Sequence, residues 1–258
     1  MEEQSVHQQV VANEEGGYRF LPALRFASAA VLAMDGMAIE RGVLTAPLPL
    51  ADGFAAIRAW LEAAGRPLDS LCGIELRSPN QISMDDFIAF NNQYLSHLDS
   101  WDLLRDGAPP LTRTNVAPFR GAPATPSIVA FSYTVERADP RGCFVVSGVA
   151  EVATGCKYPD DIIRPGESSS EALNKKASSV TADVGSIVAH LGADWDDAVS
   201  VHLYAQHPSV FEFSRRVLAA IPVAPNQGIV WHDAAPPVDG LELEVDIRRY
   251  AAERAVGA

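Results

Sequence analysis

The chain repeats one order of helices and strands at a nearly constant offset, and this repetition limits the available folds more than any other feature. Apolar residues spaced three and four apart predict an amphipathic helix over 51–65, and the same spacing predicts another over 175–192. Each helix ends at a glycine, and the two glycines lie 127 positions apart. A strand is predicted after each helix, and Ile74 and Val201 in these strands are also 127 positions apart. The sequence therefore predicts two copies of one unit.

The later elements of each copy also correspond. A second amphipathic helix is predicted at 84–98 and again at 208–221. Each is followed by a proline-rich connection and a closing strand, at 127–136 and at 241–247. We therefore expect an α+β fold of two tandem β-β-α-β-α-β units, in which each sheet carries its helices on one face. The predicted domains are an N-terminal tail (1–17), a first unit (18–138) and a second unit (139–258).

Charge and composition exclude several classes of partner. Lys and Arg number 20 against 33 Asp and Glu, which gives a formal charge of −13, so a nucleic acid would be repelled over most of the surface. No apolar run approaches the roughly 20 residues that cross a bilayer, and the acidic N-terminus does not resemble a signal peptide. We expect a cytoplasmic protein that binds neither nucleic acid nor membrane.

Motifs for cofactors are also missing from the sequence. The three cysteines show no CxxC spacing, which argues against a disulfide framework and a structural zinc site. The six histidines form no HxH or HExxH motif, and no glycine-rich phosphate loop is found. We therefore expect neither a metal nor another cofactor. Cys156 is weak as a nucleophile, because only Lys157 beside it would lower its pKa.

Segments of both halves resemble the RidA/YjgF family. In the second half these are FVVSGVAEV, the helix end HLGA, WDDAVSVHLYAQ and LELEVDI, and in the first half AAGRPLDSLCGIELRSP and DDFIAFNNQYL. The resemblance covers about 18–250 and implies a fold like that of chorismate mutase, a trimeric assembly and ligand pockets where units meet. It also implies hydrolysis of imines or enamines, such as 2-aminoacrylate, to keto acids and ammonia.

The resemblance implies roles for two residues. Arg113, in LTRTNVAP, matches the family arginine that binds the substrate carboxylate, and a guanidinium suits this task because it forms two parallel charge-assisted hydrogen bonds. Glu242, in LELEVDI, matches the glutamate that positions water. The second half has Gln227 where the first has Arg113, so a composite pocket between units is one interpretation. The alternatives are a surface or ion-paired Arg113, and a solvated strand face made of Glu242, Glu244 and Asp246.

Polar residues recur at equivalent strand positions in the two copies. Glu75 and Arg77 alternate with apolar residues, and so do His202 and Tyr204, so each pair shares one face of its strand. We predict that these faces line pockets and that His202 transfers protons, since histidine titrates near neutral pH. A solvated sheet face is the alternative.

Three further residues are candidates for the same site. Asn91 and Tyr94 are predicted to bind substrate at a pocket mouth, although such residues also occur on the solvent side of a helix. His232 lies beside Trp231 in the segment before the closing strand, where it could contact a conjugated substrate and assist catalysis, or simply pack in a loop.

These observations predict a hydrolytic deaminase of an imine or enamine on a small, conjugated carboxylate, similar to 2-aminomuconate or 2-aminoacrylate. Arg113 would bind the carboxylate and Glu242 would orient water, with His202 or His232 transferring protons. Two alternatives stay open: a chorismatase-like lyase or hydrolase acting on a ring-derived diacid, and a non-catalytic module that binds a small anion.

Overall fold

The computed structural model of the chain describes residues 9–23, 26–138, 142–153, 161–193, 195, 200–206 and 209–257. The strands in chain order are β1 (Val11–Asn13), β2 (Tyr18–Leu21), β3 (Ala30–Ala33), β4 (Met37–Pro49), β5 (Leu71–Arg77), β6 (Thr112–Pro118), β7 (Ser127–Glu136), β8 (Phe144–Ala150), β9 (Ser200–Ala205), β10 (Val230–His232), β11 (Ala234–Ala235), β12 (Leu243–Arg249) and β13 (Ala252–Val256). The α-helices are α1 (Leu50–Ala63), α2 (Met84–Asp99), α3 (Ser170–Leu191), α4 (Val210–Ala220) and the short α5 (Ala224–Gln227).

The strands form two sheets in a mixed α/β fold. One sheet has seven strands in the order β1-β2-β3-β8-β12-β9-β10, and the other has six in the order β11-β6-β5-β7-β4-β13. Both sheets combine parallel and antiparallel pairs: β5 and β6 are parallel, for example, whereas β5 and β7 are antiparallel.

The strand order shows that the predicted fold of two tandem units is wrong. β3 comes from the N-terminal part of the chain but pairs with β8, where Val31 lies opposite Val145. β13 comes from the C-terminal end but pairs with β4, where Arg254 lies opposite Gly42. Each sheet is therefore completed by strands from the other half of the chain. Periodicity predicts where a strand lies but not which strand it pairs with, and this is why the sequence prediction failed here. The predicted division at 138–139 stays a prediction, and residues 139–141 lie outside the described residues.

Most helices form where their apolar periodicity predicts them. Phe54, Ile57 and Leu61 of α1 pack on the six-stranded sheet, together with residues of α2. The valines of α3, including Val180 and Val184, pack on the seven-stranded sheet with α4. The Ser169 side chain accepts a hydrogen bond from the Ala172 N–H and so caps the start of α3. Within the described residues, no helix combines the length and the apolar character that a bilayer crossing requires.

Each sheet has one face toward its helices and one toward the other sheet. One end of the interior between the sheets is apolar and contains Tyr18, Val31, Ile39 and Val145. The Tyr18 hydroxyl links the sheets there by donating to the Leu71 carbonyl at 3.0 Å. The remaining interior is polar and holds charged side chains of both sheets. This polar part positions the candidate site.

Candidate functional site

The first cluster of interest, which we call the Arg113 pocket, lies where β6 meets β8 and α2. The Arg113 backbone N–H donates to Ser147 Oγ of β8 at 3.0 Å. The Arg113 guanidinium donates from Nη1 to Asn91 Oδ1 at 2.5 Å and lies over the Tyr94 ring, with Cζ 5.0 Å from its centroid. Asn91 and Tyr94 are three residues apart on α2, so they share one face of that helix. The structure therefore brings together three residues that the sequence predicted to bind substrate.

Buried polar atoms around Arg113 are left without partners. Asn91 Nδ2 and Tyr94 Oη are buried and have no hydrogen-bond partner among the described residues. The same holds for Nδ2 of Asn115, which lies two residues after Arg113 and on the same face of β6. Each buried polar group without a hydrogen-bond partner costs about 1–3 kcal/mol of folding free energy. Because these atoms are hydrogen-bond donors beside a guanidinium, a bound anion would satisfy them.

Glu244 of β12 approaches this pocket from the seven-stranded sheet. Its carboxyl group lies against Gly148 of β8, where any side chain at position 148 would overlap it. Gly148 directly follows Ser147, which holds the Arg113 backbone. Burial, and secondly the negative charge of Asp246, raise the pKa of Glu244 to about 8, although Arg113 and Arg77 act in the opposite direction. Glu244 is therefore protonated at neutral pH and can donate a proton.

A second cluster, the ionic chain, crosses between the sheets through Arg41, Glu75, Arg248 and Asp246. Glu75 accepts hydrogen bonds from Arg41 at 2.5 and 2.9 Å, and Arg248 Nη1 lies 2.8 Å from Glu75 Oε1. Arg248 also donates to both carboxylate oxygens of Asp246, at 2.7 and 2.6 Å. Burial acts to raise the pKa of Glu75, but Arg248 and Arg41 outweigh it and hold that pKa below its usual range. These charges compensate one another.

Tyr204 and Thr114 end the ionic chain. Asp246 Oδ2 accepts from the Tyr204 hydroxyl at 3.0 Å and from the Thr114 hydroxyl at 2.8 Å. Arg248 Nη2 in turn donates to Tyr204 Oη at 2.7 Å. The Tyr204 ring stacks on His232, with 4.5 Å between the centroids. Tyr204 therefore connects the ionic chain to a pair of histidines.

The two predicted histidines are hydrogen-bonded to each other. His202 Nδ1 and His232 Nε2 are 2.8 Å apart, and Ser200 Oγ lies 2.7 Å from His202 Nε2. Burial lowers the pKa of both histidines to about 4, and the positive charges of Arg248 (on both) and Arg77 (on His232) add to this effect. Both imidazoles are therefore neutral at pH 7.

The structure places the predicted site residues in three groups. Arg113, Asn91 and Tyr94 form the Arg113 pocket, and the polar interior between the sheets holds Glu75, Arg77, His202, Tyr204 and His232. Glu242 forms the third group: it lies just before β12, and its carboxylate pairs with the buried Lys176 of α3. The Glu242 backbone N–H donates to Glu151 at 2.6 Å. Burial raises the pKa of Glu151 to about 7.

Sequence reasoning missed several residues of these clusters. The alternative of a solvated strand face is wrong for Asp246 and Glu244. Asp246 is 0% exposed and Glu244 is 4% exposed. Arg41, Arg248, Asn115 and Lys176 were not singled out. Arg248 continues the period-two pattern of Glu244 and Asp246 along β12, and this was the available signal.

An open cleft adjoins the segment that carries His232. Its volume is about 670 Å³, and it is lined by Phe119, Arg120, Gln206, Trp231 and Asp233, the last two of which flank His232 in the chain.

Within the described part of the chain, no group of His, Cys, Asp and Glu side chains is arranged to hold a metal ion. Cys156 lies outside the described residues.

Comparisons with known proteins give one clear family match. A family model described as 2-aminomuconate deaminase CnbZ matches residues 10–254. A curated relative, 2-amino-5-chloromuconate deaminase of Comamonas testosteroni, is 40% identical over 245 residues, which cover 92% of this chain and 95% of the relative. Membership of the RidA/YjgF family is not shown by these matches.

Two solved structures show weaker similarity. A chorismatase crystal structure matches with a TM-score of 0.48 and 11% identity, covering 93% of this chain and 78% of that one. A cyanuric acid hydrolase from A. caulinodans matches with a TM-score of 0.36 and 10% identity, covering 84% and 71%.

Proposed function

The chain belongs to the 2-aminomuconate deaminase family, and from this premise we propose that it hydrolyses a 2-aminomuconate-like substrate to the corresponding 2-oxo acid and ammonia. Such a substrate is a conjugated six-carbon diacid in which the amino group and one carboxylate are bonded to the same carbon. The family supports an enzyme that acts on a C–N bond. The substrate and the roles of individual residues are the parts that we propose.

The observation that carries the proposal is the set of unmet donors in the Arg113 pocket. Arg113 offers a guanidinium, and the buried Asn91 Nδ2 and Tyr94 Oη lack partners among the described residues. Burial lowers the pKa of Arg113, so a bound anion would offset the cost of burying its charge. We assign this pocket to the carboxylate on the amino-bearing carbon.

Glu244 is the residue that we assign to proton transfer. It is buried against Gly148 and carries a proton at neutral pH, because its pKa is raised to about 8. Glu242 stays a prediction for positioning water, and its carboxylate pairs with Lys176. His202 and His232 stay predictions for proton transfer; with pKa values of about 4 they are neutral at pH 7 and could accept a proton but not donate one as imidazolium.

The proposed reaction balances with water as the second reactant. Glu244 donates its proton to a diene carbon that is conjugated with the amino group. The C–N bond becomes a double bond, and the enamine becomes an iminium ion. The Glu244 carboxylate then takes a proton from a water molecule as the water oxygen bonds to the amino-bearing carbon. Glu244 then gives this proton to nitrogen, the C–N bond breaks and ammonia leaves, and the Glu244 carboxylate takes the hydroxyl proton as the carbonyl forms. No step requires an oxidant or a reductant.

Ammonia release tests the proposal. The wild-type protein is supplied with 2-aminomuconate generated enzymatically in the assay, and ammonia and the 2-oxo acid are followed together. We expect both products in equal amounts, and a large rise in KM for Arg113→Met because the carboxylate loses its charged partner.

Arg58→Met is a matched control for loss of an arginine, since Arg58 lies on α1 over Trp101. It should behave as wild type. Ammonia release at the uncatalysed rate would contradict the proposed function, and equal kinetics for Arg113→Met and wild type would remove Arg113 from it. The predicted trimer and cytoplasmic location stay predictions.

A further inference from the structure

Glu151 is a buried acidic residue that the proposed reaction does not use. It directly follows β8 and is 0% exposed. Its two carboxylate oxygens accept hydrogen bonds from two consecutive backbone N–H groups, from Glu242 at 2.6 Å and from Leu243 at 3.0 Å. These residues come immediately before Glu244. The Glu151 side chain therefore contacts the backbone that leads into the residue assigned to proton transfer.

A turn of the chain explains why a side chain makes these contacts. The pairing of β8 with β12 ends at Ala150, which lies opposite Glu244. The Val152 N–H then donates to the Ala150 carbonyl at 2.8 Å, and the Glu151 backbone carbonyl accepts from the Ile163 N–H at 3.0 Å. Because the Glu151 backbone carbonyl is bonded elsewhere, the carboxylate takes the place of a strand partner for the start of β12.

Lys176 of α3 contacts the same short segment through the Glu242 side chain. Its Nζ pairs with the Glu242 carboxylate, and Lys176 is 0% exposed. Lys176 also acts on Glu151 electrostatically. Glu151 thus fixes the segment by its backbone and Lys176 fixes it by a side chain, so the position of the following residue, Glu244, is fixed as well.

Glu151 also affects the Glu244 carboxyl through its charge. The charged and titratable groups near that carboxyl, on β12, β6, β5, β9 and after β8, include Asp246, Arg113, Arg77, Tyr204 and Glu151. Asp246 and Glu151 raise the pKa of Glu244, whereas the two arginines lower it. Glu151, with a pKa raised by burial to about 7, loses its proton before Glu244, whose pKa is about 8. The negative charge on Glu151 then helps Glu244 to keep its proton.

We propose that Glu151 is a positioning residue for Glu244, which fixes the backbone at the start of β12 and supplies a negative charge beside the carboxyl that transfers the proton. Glu151 acts through Glu244 and not by contact with the substrate. This inference rests on the proposed function for the role of Glu244.

Glu151→Gln is the main test, because the amide keeps the size of the side chain but carries no charge and accepts through one oxygen only. For ammonia release from 2-aminomuconate, we expect kcat to fall roughly tenfold. The decline in activity above about pH 8 should begin roughly half a unit to one unit lower, because Glu244 loses its proton more easily without the neighbouring charge.

Substrate binding should not change in this variant, because the Arg113 pocket keeps all of its donors. KM measures this, together with Kd of trans,trans-muconate by titration calorimetry. Muconate is a six-carbon diene diacid without the amino group, and it is therefore an unreactive probe. A rise in KM and in the Kd of muconate, with kcat unchanged, would overturn the inference.

Glu167→Gln is the matched control on the connection between β8 and α3. Glu167 pairs with Arg164, and its side chain is 48% exposed. This variant should match wild type in kcat, KM and pH dependence. A wild-type kcat and pH profile for Glu151→Gln would overturn the inference. A fall in kcat with the decline at its wild-type pH would overturn it too, because this pattern indicates a structural role alone.

Glu151→Asp keeps the test decisive if Glu151→Gln does not fold. The aspartate retains the charge but is too short to reach both N–H groups. We therefore expect kcat to fall while the pH profile stays that of wild type. A wild-type kcat for Glu151→Asp would overturn the inference.

Unfolding free energies separate this inference from the proposed function, since they need no turnover. The difference between Glu151→Gln and the double variant Glu151→Gln/Glu244→Gln isolates the titration of Glu244. In the wild-type background this stabilisation is lost as the pH rises through about 8, and without Glu151 it should be lost at a lower pH. If this shift occurs but wild type releases no ammonia, the proposed function alone fails. If wild type releases ammonia without the shift, the inference alone fails.

Discussion

The Arg113 pocket and the ionic chain are both largely buried clusters of polar residues, but they differ in how completely their groups are paired. In the ionic chain, Glu75 and Asp246 receive hydrogen bonds on every carboxylate oxygen from Arg41, Arg248, Tyr204 or Thr114. In the Arg113 pocket, Asn91 Nδ2, Tyr94 Oη and Asn115 Nδ2 find no partner within the described residues. The two clusters therefore serve different purposes.

Completeness of hydrogen bonding distinguishes buried charges that stabilise the fold from those available to bind a ligand. A fully paired network recovers part of its desolvation cost within the fold, so it needs nothing else. Buried hydrogen-bond donors without partners lower the stability of the fold, and this free energy is recovered only when a ligand binds to them. Variants in the ionic chain should therefore change stability more than ligand affinity, and variants in the Arg113 pocket should do the reverse.

The largest expected effect is on stability, from Glu75→Ala. This change leaves Arg41 and Arg248 buried without their shared carboxylate, which should cost about 3–5 kcal/mol of unfolding free energy. Urea denaturation measures it. Glu253→Ala is the control, because Glu253 pairs with the same Arg41 but is 59% exposed, and it should cost at most about 1 kcal/mol. Equal losses of unfolding free energy for the two variants would show that the ionic chain does not stabilise the fold as described.

The next effect is on catalysis, from Glu244→Gln. The amide cannot donate a proton as a carboxylic acid does, so kcat for ammonia release should fall roughly 10²–10⁴-fold. The melting temperature should not fall, since a neutral amide replaces a buried neutral carboxyl. Glu242→Gln is the matched variant on the same segment and should retain far more activity, because the Glu242 carboxylate is already paired with Lys176. A reversed order of the two activities would remove Glu244 from proton transfer and favour Glu242 as the catalytic carboxylate.

The titration of Glu244 should make both stability and activity depend on pH. Burial raises its pKa to about 8, so the folded protein keeps a proton that the unfolded chain loses near pH 4.5. Stability from this group is complete below pH 4.5 and is lost as the pH rises through 8. Unfolding free energy of wild type, measured relative to Glu244→Gln, should therefore fall by a few kcal/mol between pH 5 and 9. Wild-type activity should also decline above about pH 8. A flat difference between the two proteins would contradict the assigned protonation state.

The smallest effects come from removing one hydroxyl in each cluster. Tyr94→Phe removes a buried hydroxyl without a partner, so stability should hold or rise by up to about 1 kcal/mol while muconate affinity falls severalfold. Tyr204→Phe removes a hydroxyl that is bonded to Asp246 and Arg248, and should cost about 1–3 kcal/mol of stability. Thermal melting and calorimetry measure both. If Tyr94→Phe is the more destabilising variant, the contrast between the clusters is wrong.

Local features of the fold were predictable from the sequence because they depend on neighbouring residues. The periodicity of Phe54, Ile57 and Leu61 locates α1, and Gly192, with φ of +74°, ends α3 as its position suggests. The pairing of β3 with β8 was not predictable, because these strands are apolar on both faces and accept many partners. The tandem-unit fold failed at this step.

The candidate site shows the same limit. The sequence predicts Arg113 as a substrate-binding residue through the family resemblance, and Asn91 and Tyr94 as hydrogen-bonding groups at a pocket mouth. It does not predict that the three meet, which the structure shows.

The family resemblance points to Glu242 rather than Glu244, and an alternating strand does not reveal which of its acids is buried. Their neighbours in the fold distinguish them: Glu244 lies against Gly148 of β8, whereas Glu242 pairs with Lys176 of α3.

A crystal structure of Glu244→Gln bound to trans,trans-muconate tests whether the Arg113 pocket is the substrate site. We expect one carboxylate on the Arg113 guanidinium, within hydrogen-bond distance of Asn91 Nδ2 and Tyr94 Oη, with the diene beside residue 244. Muconate bound instead in the cleft between Phe119 and Trp231, with those two donors still unpaired, would contradict it.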